Sequence, residues 1–177
     1  MNDIELQPVL LGDTIMLRPL KDGDFEALYS IASDPKIWEL HPDNERYKRE
    51  IFKQRYFKSA LVSGGALVVE QKSDGEIIGC SRYYEWRPGS KEISIGYTFI
   101  KRSHWGLGAN RDIKQLMLNH IFLWANLAWF HVGEINMRSR RAVEKLGARL
   151  SHAKQRELEG AAYTQLYYKL ADKGFLG

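Results

Sequence analysis

The sequence predicts an α/β (α+β) fold, a mixed and mostly antiparallel sheet of six to seven strands with four helices on its faces. Three observations predict it. The first third places one alternating run ahead of two stretches whose apolar residues recur at the helical period. The middle third holds three apolar runs separated by Ser73-Asp74-Gly75 and Pro88-Gly89, turns short enough to force antiparallel hairpins. The last third reaches the apolar run Ala128-Trp129-Phe130-His131-Val132 through a helix, and a helical crossover joins parallel strands.

Taken in order, Thr14-Ile15-Met16-Leu17-Arg18-Pro19 alternates and stops at proline, as a first strand does. Asp22 or Asp24 caps the next helix, in which Phe25, Leu28, Ile31 and Ala32 share one stripe until Asp34-Pro35 ends it. The stretch Ile37-Trp38-Glu39-Leu40-His41-Pro42 is irregular. Tyr47, Ile51, Phe52, Tyr56 and Ala60 mark a second helix closed by Ser63-Gly64-Gly65. Strands over 66–71, 76–86 and 91–100 make the meander. A third helix carries Ile113, Leu116, Met117, His120 and Trp124 on one face. A fourth runs from about Ser139 to Leu146, with Gly147 just past its end. Strands over 148–154 and 164–170 close the chain around a polar excursion containing Gly160. No repeat, low-complexity tract or linker interrupts the 177 residues, which read as a single domain, 1–177.

A composition 44% apolar and 27% charged is that of an ordinary globular protein, long enough to bury a core without disulfides or metal. The single cysteine, Cys80, excludes a disulfide framework; within Ile77-Ile78-Gly79-Cys80 it reads as a buried strand thiol rather than a nucleophile. Met1-Asn2-Asp3-Ile4-Glu5 has neither a basic nor an apolar leader segment, and no apolar stretch nears about 18 residues. A cytoplasmic protein without membrane partners is therefore expected. A net charge of +4 suits an anionic ligand but is not gathered into the dense stripe that nucleic acid requires.

Phe99-Ile100-Lys101-Arg102-Ser103-His104-Trp105-Gly106-Leu107-Gly108-Ala109-Asn110 runs from a strand through a basic, glycine-containing loop into a helix. Two readings are open at this point. Glycines, successive amides and a helix N-terminus can together cradle a phosphate, or Gly106-Leu107-Gly108 can simply be a tight turn. A dinucleotide fingerprint would need a third glycine and a following acidic residue, and a P-loop would need Gly-Lys-Ser/Thr; neither is present.

The order β-α-α-β-β-β-loop-α-β-α-β-β resembles the GCN5-related N-acetyltransferase (GNAT) fold, and within it the RimJ/RimL-like branch of ribosomal-protein N-terminal acetyltransferases. The resemblance covers nearly the whole chain. Its sharpest match is Asn136-Met137-Arg138-Ser139-Arg140-Arg141-Ala142-Val143-Glu144-Lys145-Leu146-Gly147-Ala148, which is similar to the branch's Asn-x-x-Ser and Glu-Lys-x-Gly signature. A second is Ile95-Gly96-Tyr97-Thr98-Phe99. Trp105-Gly106-Leu107-Gly108-Ala109-Asn110 stands where the family has Gln/Arg-x-x-Gly-x-Gly/Ala, and Asn110 at the last position departs from the wider pattern.

The resemblance implies acetyl-CoA as the cofactor and direct attack of an amine on its thioester, with no acyl-enzyme. It implies a sheet splayed between the fourth and fifth predicted strands by a bulge. Tyr97, Thr98, Phe99 and Ile100 would pair with the pantetheine arm, and one of their amides would face the oxyanion. Arg102, Trp105, Gly106, Leu107, Gly108, Ala109 and Asn110 would surround the pyrophosphate, Asn136 the arm, and Arg140 and Arg141 the 3′-phosphate. Ser139 would serve as acid or orienting hydroxyl for the departing thiolate, or else as a helix-start residue. The acceptor would lie near Trp38, His41, Arg82, Tyr83 and Tyr84.

Many relatives carry a glutamate where this chain has Ser94. Alternation would set Glu92, Ser94, Gly96 and Thr98 on one face and Ile93, Ile95, Tyr97 and Phe99 on the other, so Glu92 is the nearest substitute, with His41 and Glu85 as others. A weak base suffices for an α-amine, whose deprotonation at pH 7 costs about 1 kcal/mol, against about 4.6 kcal/mol for a lysine. The expected acceptor is thus a primary amine, the α-amine of a protein N-terminus or a small molecule, and a homodimer is admitted. The alternative that Ser94 raises is a CoA-binding sensor or regulatory module without turnover.

Overall fold

The computed structural model describes residues 4–172. Met1 to Asp3, part of the segment read above for a leader, lie outside the described residues, as do residues 173–177. One eight-stranded sheet runs in the order β1-β2-β3-β4-β5-β6-β8-β7. Its strands are β1 (Leu10–Leu11), β2 (Ile15–Pro19), β3 (Ala66–Gln71), β4 (Ile77–Arg87), β5 (Glu92–Ile100), β6 (Leu127–Gly133), β7 (Arg149–Leu158) and β8 (Ala161–Ala171). The extra strand is β1, two residues long and paired to β2 at the sheet edge, too short to show in the sequence pattern. All pairings are antiparallel except β5 with β6.

Four helices cover the sheet. On one face lie α1 (Phe25–Ala32) and α2 (residues 49–62), whose central turns, Phe52–Phe57, are π-helical. They bury Leu28, Ile31, Phe52 and Tyr56 against Val68, Cys80 and Phe99. On the other face lie α3 (Ala109–Ile121) and α4 (Met137–Lys145), which bury Ile113, Met117, Leu118 and Val143 against Ile93, Ile95 and Phe130. α3 therefore turns Ile113, Lys114, Met117, Leu118 and Ile121 inward rather than the expected stripe through His120 and Trp124. The helix stops at Ile121, which leaves Trp124 in the following turn, and the His120 ring meets the Glu5 carbonyl at the surface.

α4 ends as its glycine requires. Gly147 sits at φ 94, the Gly147 amide donates to the Glu144 carbonyl and the Ala148 amide to that of Val143, the pattern of a glycine-closed helix. The polar excursion expected around Gly160 is instead the tip of one long hairpin. Glu159 (φ 50) and Gly160 (φ 79) form its two-residue turn, and the flanking polar residues continue the β7–β8 ladder. These strands extend into solvent, so the inward-outward alternation that marks a half-buried strand is missing there.

Two features position the site. The parallel ladder between β5 and β6 holds only three pairs, Glu92, Ser94 and the intervening Ile93 against Leu127, Trp129 and Ala128, after which the strands separate. These are the fourth and fifth of the expected strands, and the splay lies where the resemblance put it. Second, β5 carries a bulge: Cys80 opposes Phe99 and Arg82 opposes Gly96, so Ser81 alone faces the two residues Tyr97 and Thr98. Tyr97 takes φ 51 there. The extra residue breaks the expected alternation, because Phe99 joins the core under α1 and α2 while Ile93 and Ile95 stay with α3.

Candidate active site

The expected donor side is built from backbone. Beyond the bulge, β5 ends at Ile100, and the Lys101 amide donates to the Ile78 carbonyl at 2.7 Å, tying the loop to β4. The Trp105 indole donates back to the Ile100 carbonyl at 3.0 Å. Gly106 and Gly108 follow at φ 75 and 88, left-handed values that a side chain resists. Gly108 is the residue before α3, and the first helical bond runs from the Asp112 amide to the Gly108 carbonyl, 3.0 Å. The amides of the helix's first turn, Ala109 and Asn110 among them, have no partner within the helix. With the helix dipole they can receive an anion.

Other expected cofactor residues lie in the same loop or at α3 and α4. Leu107 is 74% exposed, whereas Ala109 is buried. Arg102 pairs with Asp34 beyond α1 at 2.7 Å, and Arg141 stands exposed on α4. The Asn136 side chain accepts the Ser139 amide at 3.1 Å, so Asn136, not Ser139, supplies the cap of α4, and it does so at φ −80. That bond fixes the Ser139 backbone and leaves its half-buried hydroxyl out of the capping role. One residue was missed in the sequence: Arg138, whose guanidinium lies 3.9 Å over the Trp105 ring while donating to the Ile37 carbonyl at 3.0 Å. It joins α4, the loop and the segment after α1, a contact no spacing announces.

The expected acceptor side is the face under α1 and α2. Ser94 donates to Glu85 at 3.4 Å. Glu85 reaches that position because a second bulge, between Tyr84 and Arg87, puts it at φ 52 and turns it onto the Ser94 face. Glu92 accepts from the Trp129 indole at 3.3 Å and from Arg87 at 3.4 Å, and Arg87 also contacts Glu85 at 3.5 Å. The rings of Tyr97, Tyr84, His131, Tyr167 and His152 follow one another across the strands, each 4.5 to 5.6 Å from the next. The Tyr84 hydroxyl meets His131 Nδ1 at 3.1 Å. Burial lowers the His131 pKa, which keeps the imidazole neutral near pH 7.

The expected acceptor residues divide. Arg82 is 4% exposed and stacks 4.1 Å from the Tyr97 ring, so it supports the bulge from the acceptor face. His41 accepts from the Asp43 amide at 2.9 Å, and burial, with Arg46 adding to it, pushes its pKa down to about 3. Trp38 is 3% exposed and gives its indole N–H to the Ala32 carbonyl at 2.8 Å, a core position behind the face. Tyr83 lies on the other face, where its hydroxyl donates to Met117 at 2.7 Å; the strand period separates it from Arg82 and Tyr84. Cys80 is buried, and burial pushes its thiol up to about 11, as suits a packed strand residue.

A sheet split between two parallel strands, with a glycine loop at the open end and a bulged strand along it, is the architecture that the resemblance implied for a CoA-dependent acyltransferase. The acetyltransferase (GNAT) domain model matches residues 14–149. The chain belongs to the GNAT acetyltransferase family, whose cofactor is acetyl-CoA. No curated protein matches the sequence. Among solved structures, a GCN5-related N-acetyltransferase from Brucella melitensis superposes with a TM-score of 0.80 at 18% identity, over 95% of this chain and 80% of the other. A GNAT-family acetyltransferase from Bacillus anthracis gives 0.75 at 16% identity, over 94% and 99%. A spermidine N-acetyltransferase from Vibrio cholerae, in complex with CoA and spermine, gives 0.73 at 18% identity, over 94% and 100%. At these identities the structures speak for the fold.

Proposed function

We propose that this N-acetyltransferase is of the RimJ/RimL-like type and acetylates a primary amine, the α-amine of a protein N-terminus or of a small molecule, at the gap between β5 and β6. The observation that carries the proposal is the end of the β5–β6 ladder at Ser94 and Trp129, just before the Tyr97 bulge, with two left-handed glycines at the open end. The residues present fit the cofactor: facing strand edges for the arm, and amides on glycines at φ 75 and 88 for the pyrophosphate.

Acetyl-CoA supplies the activated acetyl thioester. Tyr97 to Ile100 would hold the arm, with the Tyr97 amide as the donor facing the thioester oxygen. Glu85 takes the proton of the attacking amine, directly or through the Ser94 hydroxyl that donates to it at 3.4 Å. Glu92 stands behind, engaged by Trp129 and Arg87. The Ser139 hydroxyl hydrogen-bonds the departing sulfur, held in place by the Asn136 cap. Arg141 and Arg138 supply positive charge at the CoA end of the gap.

An α-amine suits so exposed a carboxylate, because it needs little help to lose its proton. Calorimetric titration with acetyl-CoA tests the donor half; no binding at high micromolar concentration overturns it. A mass-spectrometric screen of N-terminal peptides, polyamines and amino acids then identifies the acceptor. Binding without thiol release from any of them would describe a CoA-binding sensor instead.

A further inference from the structure

Among the described residues, one buried cation has neither a carboxylate partner nor a use in the reading above. Lys114, in the second turn of α3, is 4% exposed amid Ile113, Met117 and Leu118. Among the described residues no carboxylate pairs with it; its Nζ donates to Ser81 Oγ at 3.1 Å and to Thr98 Oγ1. The two hydroxyls bond each other at 2.8 Å and lie 3.5 and 3.4 Å from the Gly96 carbonyl oxygen. Ser81, Gly96 and Thr98 are the residues that border the β5 bulge. Burying an ammonium costs several kcal/mol, whereas methionine of similar length fills the same space without that cost.

We propose that Lys114 is a positioning residue for acetyl transfer: through Ser81 and Thr98 it fixes and polarises the Gly96–Tyr97 peptide, so that the Tyr97 N–H points into the gap as the oxyanion donor. The inference rests on the proposed use of that gap as the thioester site. Its basis is peptide planarity. In a trans peptide the C=O and N–H point in opposite directions, and the Gly96 carbonyl faces Ser81 on β4. The Tyr97 N–H therefore points away from the Ser81 and Thr98 hydroxyls that Lys114 holds.

Hydrogen bonds to the carbonyl deepen the peptide dipole and strengthen the N–H as a donor. The next peptide is held from the opposite face, where the Tyr56 hydroxyl donates to the Tyr97 carbonyl. α3 and α2 thus fix two successive peptides of one bulge whose central residue sits at a strained φ of 51. Burial also pushes the Lys114 pKa down to about 7, as expected of an ammonium held without a counter-charge.

Lys114→Met in the full chain tests the role. It should melt at or above the wild-type temperature and bind acetyl-CoA within about threefold, while kcat with an amine acceptor falls about tenfold or more. The Tyr97 amide proton, followed by NMR, should move upfield. Thr98→Val should reproduce the lower kcat and the moved amide with the lysine in place, and it decides the matter on its own if Lys114→Met does not fold. A wild-type chain that neither binds acetyl-CoA nor releases thiol overturns the functional proposal. A wild type that turns over, beside variants with unchanged kcat and an unmoved Tyr97 amide, overturns the positioning role. A lower melting temperature with intact kcat does so too, by marking a purely structural lysine.

Discussion

The two sides of the proposed active-site gap, donor and acceptor, are made of different material. The donor side consists of backbone: the bulge at Tyr97, the unpaired edges beyond Ser94 and Trp129, and glycines at φ 75 and 88. Nearly all of it lies in one unbroken stretch from Ile95 to Asn110. The acceptor side consists of side chains brought from distant segments, with Glu85 and Tyr84 from β4, Ser94 from β5, His131 from β6 and Tyr167 from β8. A backbone site is set by conformation, so it tolerates side-chain changes that keep φ and ψ. A side-chain site is set by identity. Substitutions in the glycine loop should therefore act on cofactor affinity, and those at the Tyr97 bulge and on the acceptor side on turnover.

The largest effect is expected at Gly108. Valine at φ 88 carries strain of about 1–3 kcal/mol, and relaxing it moves the loop amides. Gly108→Val should weaken acetyl-CoA binding about a hundredfold by calorimetry, with the circular dichroism of the fold retained. Intact affinity would mean that the loop does not hold the cofactor. Next is Glu85→Gln, which should lower kcat/KM for the amine about a hundredfold while the acetyl-CoA affinity stays put. If Glu92→Gln has that effect and Glu85→Gln does not, the proton goes to β5 instead of β4.

The same division explains what could be read in the sequence. Strand, glycine loop and helix are consecutive, so those elements were legible, the resemblance implied a bulge in the strand before the loop, and the Asn136 to Ala148 signature placed α4. The acceptor side was not legible, because its geometry depends on two bulges. A bulge is one extra residue with no sequence mark at a tyrosine or a glutamate; the one at Tyr97 moved Phe99 to the other face, and the one near Glu85 brought a carboxylate to Ser94. Lys114 was hidden for a similar reason. A lysine three residues past Arg111 on a helix reads as solvent-facing, and only the rotation of α3 turns it inward.

The proposal sets Ser139 where the two sides meet. With Asn136 as the cap, Ser139→Ala should leave the α4 terminus and the acetyl-CoA affinity intact and lower kcat about tenfold. Equal losses in affinity and turnover would move Ser139 to the donor side.

The smallest effect on rate is expected at His41, which borders the acceptor side yet behaves as a core residue. Burial and Arg46 hold its folded pKa at about 3, against 6.5 for an unperturbed imidazole. Between those values the unfolded chain binds a proton that the folded chain refuses, so stability falls as pH drops through that window, by at most about 1.4 kcal/mol per pH unit. Above about pH 6.5 both states leave the ring neutral and the contribution is flat. His41→Asn keeps an acceptor for the Asp43 amide and removes the titration. Its melting temperature should decline less steeply than that of the wild type from about pH 6.5 to 5, while kcat/KM at neutral pH stays within about twofold. A large loss of kcat/KM at neutral pH would instead put His41 among the groups that handle the amine's proton, and the acceptor side would then extend into the segment after α1.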